Sequence, residues 1–126
     1  MSFFSFKSGQ RELPHGWKHL KSAEDLEHIN HVSKSKPVVL FKHSTRCGTS
    51  FMVKDQLESA WNLSEDDLEF YYLDLLAHRD ISNLIASQYG VVHQSPQILV
   101  IKDGKSVFDT SHQMISVRAI ANAIKP

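Results

Sequence analysis

Apolar positions recur at helical spacing in the stretch SAEDLEHINHVSKSK, Ser22 to Lys36, where Leu26, Ile29 and Ser33 share one face. Ser22, with Asp25 three residues on, gives this first helix a capping-box start and acidic side chains in its positive first turn. Pro37 is expected to end it, and a short strand around Trp17 to Leu20 is expected before it. Directly after the proline, VVLF is apolar at consecutive positions and partly β-branched, as a strand buried on both faces must be. Val53, Leu57, Ala60 and Trp61 then return to helical spacing, with Ser44 or Thr45 available as the N-cap hydroxyl. LEFYYLDLL, Leu68 to Leu76, reads as a third strand, and Ile81, Leu84 and Ile85 mark a helix stopped near Gly90. QILVI and KSVFDT flank Asp103 and Gly104, the signature of a two-residue hairpin turn with positive φ. Val117, Ile120, Ala121 and Ile124 line a last helix capped by Ser116.

Strand and helix therefore alternate until the hairpin, which predicts an α/β fold: a central mixed sheet flanked by helices, closed by a β-hairpin and a C-terminal helix. With 126 residues, 41% of them hydrophobic, the chain fits one domain that folds without staples or metal. Residues 1–13 read as an N-terminal tail and 14–126 as the single domain. Phe3, Phe4 and Phe6 in the tail are expected to cover a sheet edge or seam of the same domain. Serine interrupts these phenylalanines, no signal-peptide core follows, and no run approaches the roughly 20 apolar residues of a membrane span.

Charge narrows the partners. Fourteen Lys and Arg balance 14 Asp and Glu, so no overall field attracts nucleic acid or an anionic membrane, and neither is expected as a partner. The eight histidines are scattered; His28 and His31 could share a helical face, but no further ligand converges with them, and no metal site is expected. Trp17, Trp61, Tyr71, Tyr72 and Tyr89 read as core or sheet-face residues, because basic residues do not cluster around them.

The candidate chemistry lies in KHSTRCGTS, Lys42 to Ser50, which holds the one cysteine of the chain. A single thiol excludes a disulfide framework and multi-cysteine zinc patterns, and it points to a reducing, cytoplasmic location. Cys47 can pair only with a sulfur outside the chain. Thiol exchange needs the thiolate, and a free cysteine is only about 3% ionised at pH 7. At the first turn of a helix, unsatisfied amides and the positive end of the dipole would favour the anion. Arg46 adjoins the sulfur, Lys42 and His43 are close in sequence, Gly48 and Thr49 keep the junction small, and Ser50 could donate its hydroxyl to it. A core cysteine would sit on an apolar stripe, whereas STRCGTS is polar and small, so Cys47 is read as the catalytic residue.

A cysteine between the second strand and the next helix, with Ser95 and Pro96 directly before an antiparallel hairpin, resembles the thioredoxin-like fold. More narrowly, FKHSTRCGTS, the LDLL strand end, QYGVVHQSPQILVIKDGK and SHQMIS are similar to the YtxJ-type monothiol bacilliredoxins. Their reactive motif is usually Thr-Cys-x-x-Ser; here Arg46 stands at the threonine position and Thr45 comes one earlier, while Cys47 and Ser50 match. The resemblance implies that Pro96 is cis and faces the cysteine, and that the Ser95 backbone hydrogen-bonds a bound thiol compound or peptide. It implies a cytoplasmic thiol-disulfide oxidoreductase that removes bacillithiol, or a similar low-molecular-weight thiol, from mixed disulfides on S-thiolated client proteins. That thiol is a co-substrate, no cofactor is bound, and a second thiol or a separate reductase frees Cys47. Because bacillithiol carries carboxylates, Arg46, Lys42 or His43 could bind it by charge.

Two other functions compete. CGTS differs at one position from the CGFS motif of monothiol glutaredoxins that carry an iron-sulfur cluster, but the glycine-pair-and-aspartate signature of that family is absent after the hairpin. Alternatively, the fold could keep its proline groove as a redox-inactive peptide-binding module.

Overall fold

The computed structural model describes residues 13–126; the reading of Phe3, Phe4 and Phe6 lies outside them. The elements follow the expected order: β1 (Trp17–His19), α1 (Ala23–Val32), β2 (Val38–His43), α2 (Gly48–Ala60), β3 (Glu69–Asp74), α3 (Arg79–Tyr89), β4 (Gln97–Lys102), β5 (Lys105–Ser111) and α4 (Val117–Ala123). The five strands form one sheet in the order β1-β3-β2-β4-β5. β3 runs parallel to both β1 and β2, while β4 is antiparallel to β2 and β5.

The local signals act as the chain chemistry dictates. At the start of α1 the Asp25 amide donates to Ser22 Oγ at 3.2 Å, and the Asp25 carboxylate accepts from the Ser22 amide at 3.2 Å, a complete capping box. Asp103 and Gly104 adopt φ of 51° and 71°, the left-handed pair that a tight hairpin requires. Gly90 closes α3 at φ 68°. Ser116 caps α4 by accepting from the Ala119 amide at 3.0 Å.

The first helix stops at Val32 with Ser33 as its C-cap. Pro37, four residues past Ser33, has no N–H to offer the Ser33 carbonyl, which accepts instead from the Asp103 amide at 2.8 Å, while the Ser33 hydroxyl accepts from the Gly104 amide at 2.8 Å. The proline thus ends α1 as expected, and the hairpin takes up the freed carbonyl. The expectations for the second helix shift. The second helix is capped by neither Ser44 nor Thr45 but begins after Cys47 itself, and Ala60 is exposed while Trp61 is its C-cap.

β2 is central and buried at all six positions, so its side chains divide between two cores with the period of a strand. Val39 and Phe41 meet Val53 and Leu57 of α2 and Ile120 of α4 on one face. Val38 and Leu40 meet Leu26 and Ile29 of α1 and Ile81 and Ile85 of α3 on the other. Each such side chain contributes roughly 1.5–3 kcal/mol when fully buried. Trp17 stacks on Phe70 at 4.1 Å between centroids and meets Trp61 edge-on at 5.2 Å, sealing the α2 side near β1. Among the described residues, no helix is long and apolar enough to cross a membrane.

Candidate active site

The chain leaves the end of β2 at His43, turns through Ser44, Thr45 and Arg46, and enters α2 with Cys47 as the N-cap in an extended conformation, φ −104° and ψ 121°. The Cys47 amide donates to the Ser44 carbonyl at 3.2 Å, and the Cys47 carbonyl accepts the first helical bond, from Phe51 at 3.0 Å. Helix geometry therefore leaves the amides of Gly48, Thr49 and Ser50 without carbonyl partners at the mouth that carries the thiol. No acidic residue lies in that first turn, so nothing there offsets the positive end of the dipole. Cys47 is half-buried, and a Cβ added at Gly48 would meet nothing within 4 Å: the sulfur sits at a helix mouth with open approach.

The other wall comes from the antiparallel register. Lys42 pairs with Gln97, and one step further brings Pro96 alongside His43, at the same end of the sheet as the Ser44–Cys47 turn. The Ser95–Pro96 peptide is cis, as the resemblance implies. Pro96 is buried, and its carbonyl accepts from the His112 amide at 3.1 Å, tying it to the single-turn helix His112–Met114 after β5. Ser95 Oγ is enclosed without a hydrogen-bond partner among the described residues.

The family model for the monothiol bacilliredoxin BrxC matches residues 18–120, most of the chain and both walls of this site. The chain belongs to the monothiol bacilliredoxin family. A solved thioredoxin-fold structure proposed as an oxidoreductase is 32% identical, covers 87% of this chain and 95% of its own, and superposes with a TM-score of 0.74. The thioredoxin of Malassezia sympodialis is 17% identical over 91% of this chain and 95% of its own, with a TM-score of 0.68. Spinach chloroplast thioredoxin f is 15% identical over 92% of this chain and all of its own, with a TM-score of 0.67. The latter two likenesses show the fold alone. Together with the family, they make this a thioredoxin-like fold with the thiol oxidoreductase character of the bacilliredoxins.

Within this bacilliredoxin, the residues singled out around Cys47 take distinct places. Arg46 is exposed beside the thiol and Thr49 is half-buried. Ser50 is fully buried and its hydroxyl does not serve the sulfur. It accepts from the Ser44 amide at 3.0 Å and lies 2.8 Å from His43 Nδ1. Burial, with Lys54 nearby, lowers the pKa of His43 to about 4, so the ring is neutral at neutral pH. Ser50 is thus a bolt between β2 and the turn before Cys47, and a neutral, buried His43 cannot bind a carboxylate by charge.

Lys42 also departs from expectation. Alternation along β2 sends it to the α3 face, opposite His43, where it is fully buried. Its ammonium donates to the Ser82 carbonyl at 3.3 Å and lies 3.2 Å from His93 Nδ1. Burial lowers its pKa to about 8. Of the three candidate cations, Arg46 is the one at the surface. His93, Ser82 and Gln97 were not legible as site residues. Phe51 and Met52, 53% and 62% exposed on the first turn of α2, could have been flagged by the two bulky apolar residues that follow CGTS.

Proposed function

We propose that this protein removes bacillithiol, or a similar low-molecular-weight thiol, from mixed disulfides on client proteins, using Cys47 as the sole nucleophile. The observation that carries this reading is the lone, half-exposed thiol at the open mouth of α2, with family membership narrowing the substrate. The Cys47 thiolate attacks the bacillithiol sulfur of the mixed disulfide. A new Cys47–bacillithiol disulfide forms, and the client sulfur leaves as a thiolate and takes a proton from solvent. A second thiol then attacks the adduct and frees Cys47, so no second cysteine in the chain is required. The Ser95 backbone and Pro96 hold the disulfide in place, with Arg46 as the exposed cation for an anionic thiol and Phe51 and Met52 as apolar contacts for the client. No cofactor takes part.

Intact mass spectrometry tests this. The wild type and Cys47→Ser are incubated with peptide mixed disulfides of bacillithiol, glutathione and coenzyme A. The wild type should gain the bacillithiol adduct fastest and release the free peptide thiol, while Cys47→Ser gains nothing. Equal rates for all three would remove bacillithiol as the favoured substrate. A brown, cluster-bearing dimer on purification, or no adduct at all, would sink the oxidoreductase mechanism.

A further inference from the structure

A lysine ammonium at the end of a central strand is an unusual occupant for an α/β core. Lys42 Nζ is enclosed between β2, α3 and the segment before Pro96, and among the described residues no carboxylate pairs with it. Burying an unpaired charge destabilises a fold, and an apolar side chain of similar length would suit this face of the sheet, where Leu40, Ile81 and Ile85 belong to one apolar core, at lower cost. Stability therefore does not account for this residue.

Its contacts do. The ammonium is donor-only, so His93 Nδ1 must accept from it, and the ring is held in one tautomer with its proton on Nε2. Ser82 Oγ lies 3.3 Å from the same nitrogen. Lys42's register partner, Gln97, holds the neighbouring backbone: its Nε2 donates to the Val92 carbonyl at 3.0 Å, and its Oε1 accepts from the Gln94 amide at 3.3 Å. The segment from Val91 to Pro96 has no regular secondary structure. Between the ties at its ends, from the Val91 amide to the Ala86 carbonyl and from the His112 amide to the Pro96 carbonyl, it is held at Val92, His93 and Gln94, all three from beneath by Lys42 and Gln97.

We propose that Lys42 is a positioning residue for disulfide binding: acting through His93, it holds the Val91–Pro96 segment so that the Ser95 backbone is presented to the substrate. This rests on the reading that the segment binds the mixed disulfide. Lys42 itself touches neither substrate nor sulfur. Its effect falls on binding rather than on bond exchange, because the thiol is carried by α2, which packs on the opposite face of β2.

Single-turnover kinetics with a bacillithiol–peptide mixed disulfide separate the half-saturation concentration from the maximal rate. Lys42→Met should raise the half-saturation concentration by about tenfold and change the maximal rate by less than about twofold. Its thermal midpoint should be unchanged or higher, the opposite of what a structural role demands. His93→Ala, at a partly exposed position, should give the same rise, and the double variant no more than either alone. Unchanged half-saturation in either single variant, or additive effects, would overturn the proposal, as would equal losses in both parameters with a lowered midpoint. Pro96→Ala tells the two ideas apart. If it leaves half-saturation unchanged, the segment does not bind substrate; if it raises it while Lys42→Met does not, only the strut is wrong.

Discussion

His43 offers a test of the site that needs no substrate. Its imidazole is 3% exposed, and its pKa falls from the ordinary 6.5 to about 4, so the unfolded chain takes up a proton that the folded chain refuses. The stability that depends on the neutral ring is complete above pH 6.5 and is lost as pH falls through 4. At about 1.4 kcal/mol per pH unit of displacement, the loss is about 2 kcal/mol between pH 7 and pH 5 and about 3 kcal/mol by pH 4. The variant His43→Asn keeps a side-chain amide that can donate to or accept from the Ser50 hydroxyl but cannot be protonated. Urea unfolding of wild type and variant at pH 7, 6 and 5 and constant ionic strength should show the gap between them shift by about 2 kcal/mol in favour of the variant. Every other titrating group is common to both proteins and cancels. If the two stability curves run parallel across this range, His43 is not held neutral by its burial.

Other substitutions probe the frame around the site. Ser50→Cys puts a second thiol at the third residue of α2, three residues from Cys47 at its N-cap; under mild oxidant the variant should lose the mass of two hydrogens, and an unchanged mass would show that the two side chains do not meet. Ser33→Ala removes the hydroxyl that joins the Asn30 carbonyl, at 2.7 Å, to the Gly104 amide, at 2.8 Å, and should cost about 1–3 kcal/mol in denaturant unfolding. Leu57→Ala, at 1% exposure between α2 and the sheet, should cost about 2–5 kcal/mol by the same measurement.

Much of this architecture is legible because its causes are local. The Ser22–Asp25 capping box, the Asp103–Gly104 turn and the apolar run Val38 to Phe41 each act within a few residues, and each appears where the pattern puts it. Helix ends were less legible where a distant group intervenes. The Ser33 carbonyl, left without a helical partner by Pro37, is taken by the Asp103 amide of the hairpin turn, and Cys47 stands as N-cap in place of Ser44, whose amide and hydroxyl are bound to Ser50 and Arg46.

The amino-acid sequence by itself determined the order of strands and helices, the lone thiol between β2 and α2, and the serine-proline step ahead of β4. Periodicity, turn chemistry and residue count are properties of neighbouring residues and survive without a fold. Only the tertiary structure decided the fates of Lys42 and His43. Adjacent in the chain, they are sent to opposite faces of the sheet, and their charge states depend on what covers each face: α3 and the segment before Pro96 over the lysine, α2 over the histidine. Burial and partner supply set those ionisations, and both come from elements packed across space rather than along the chain.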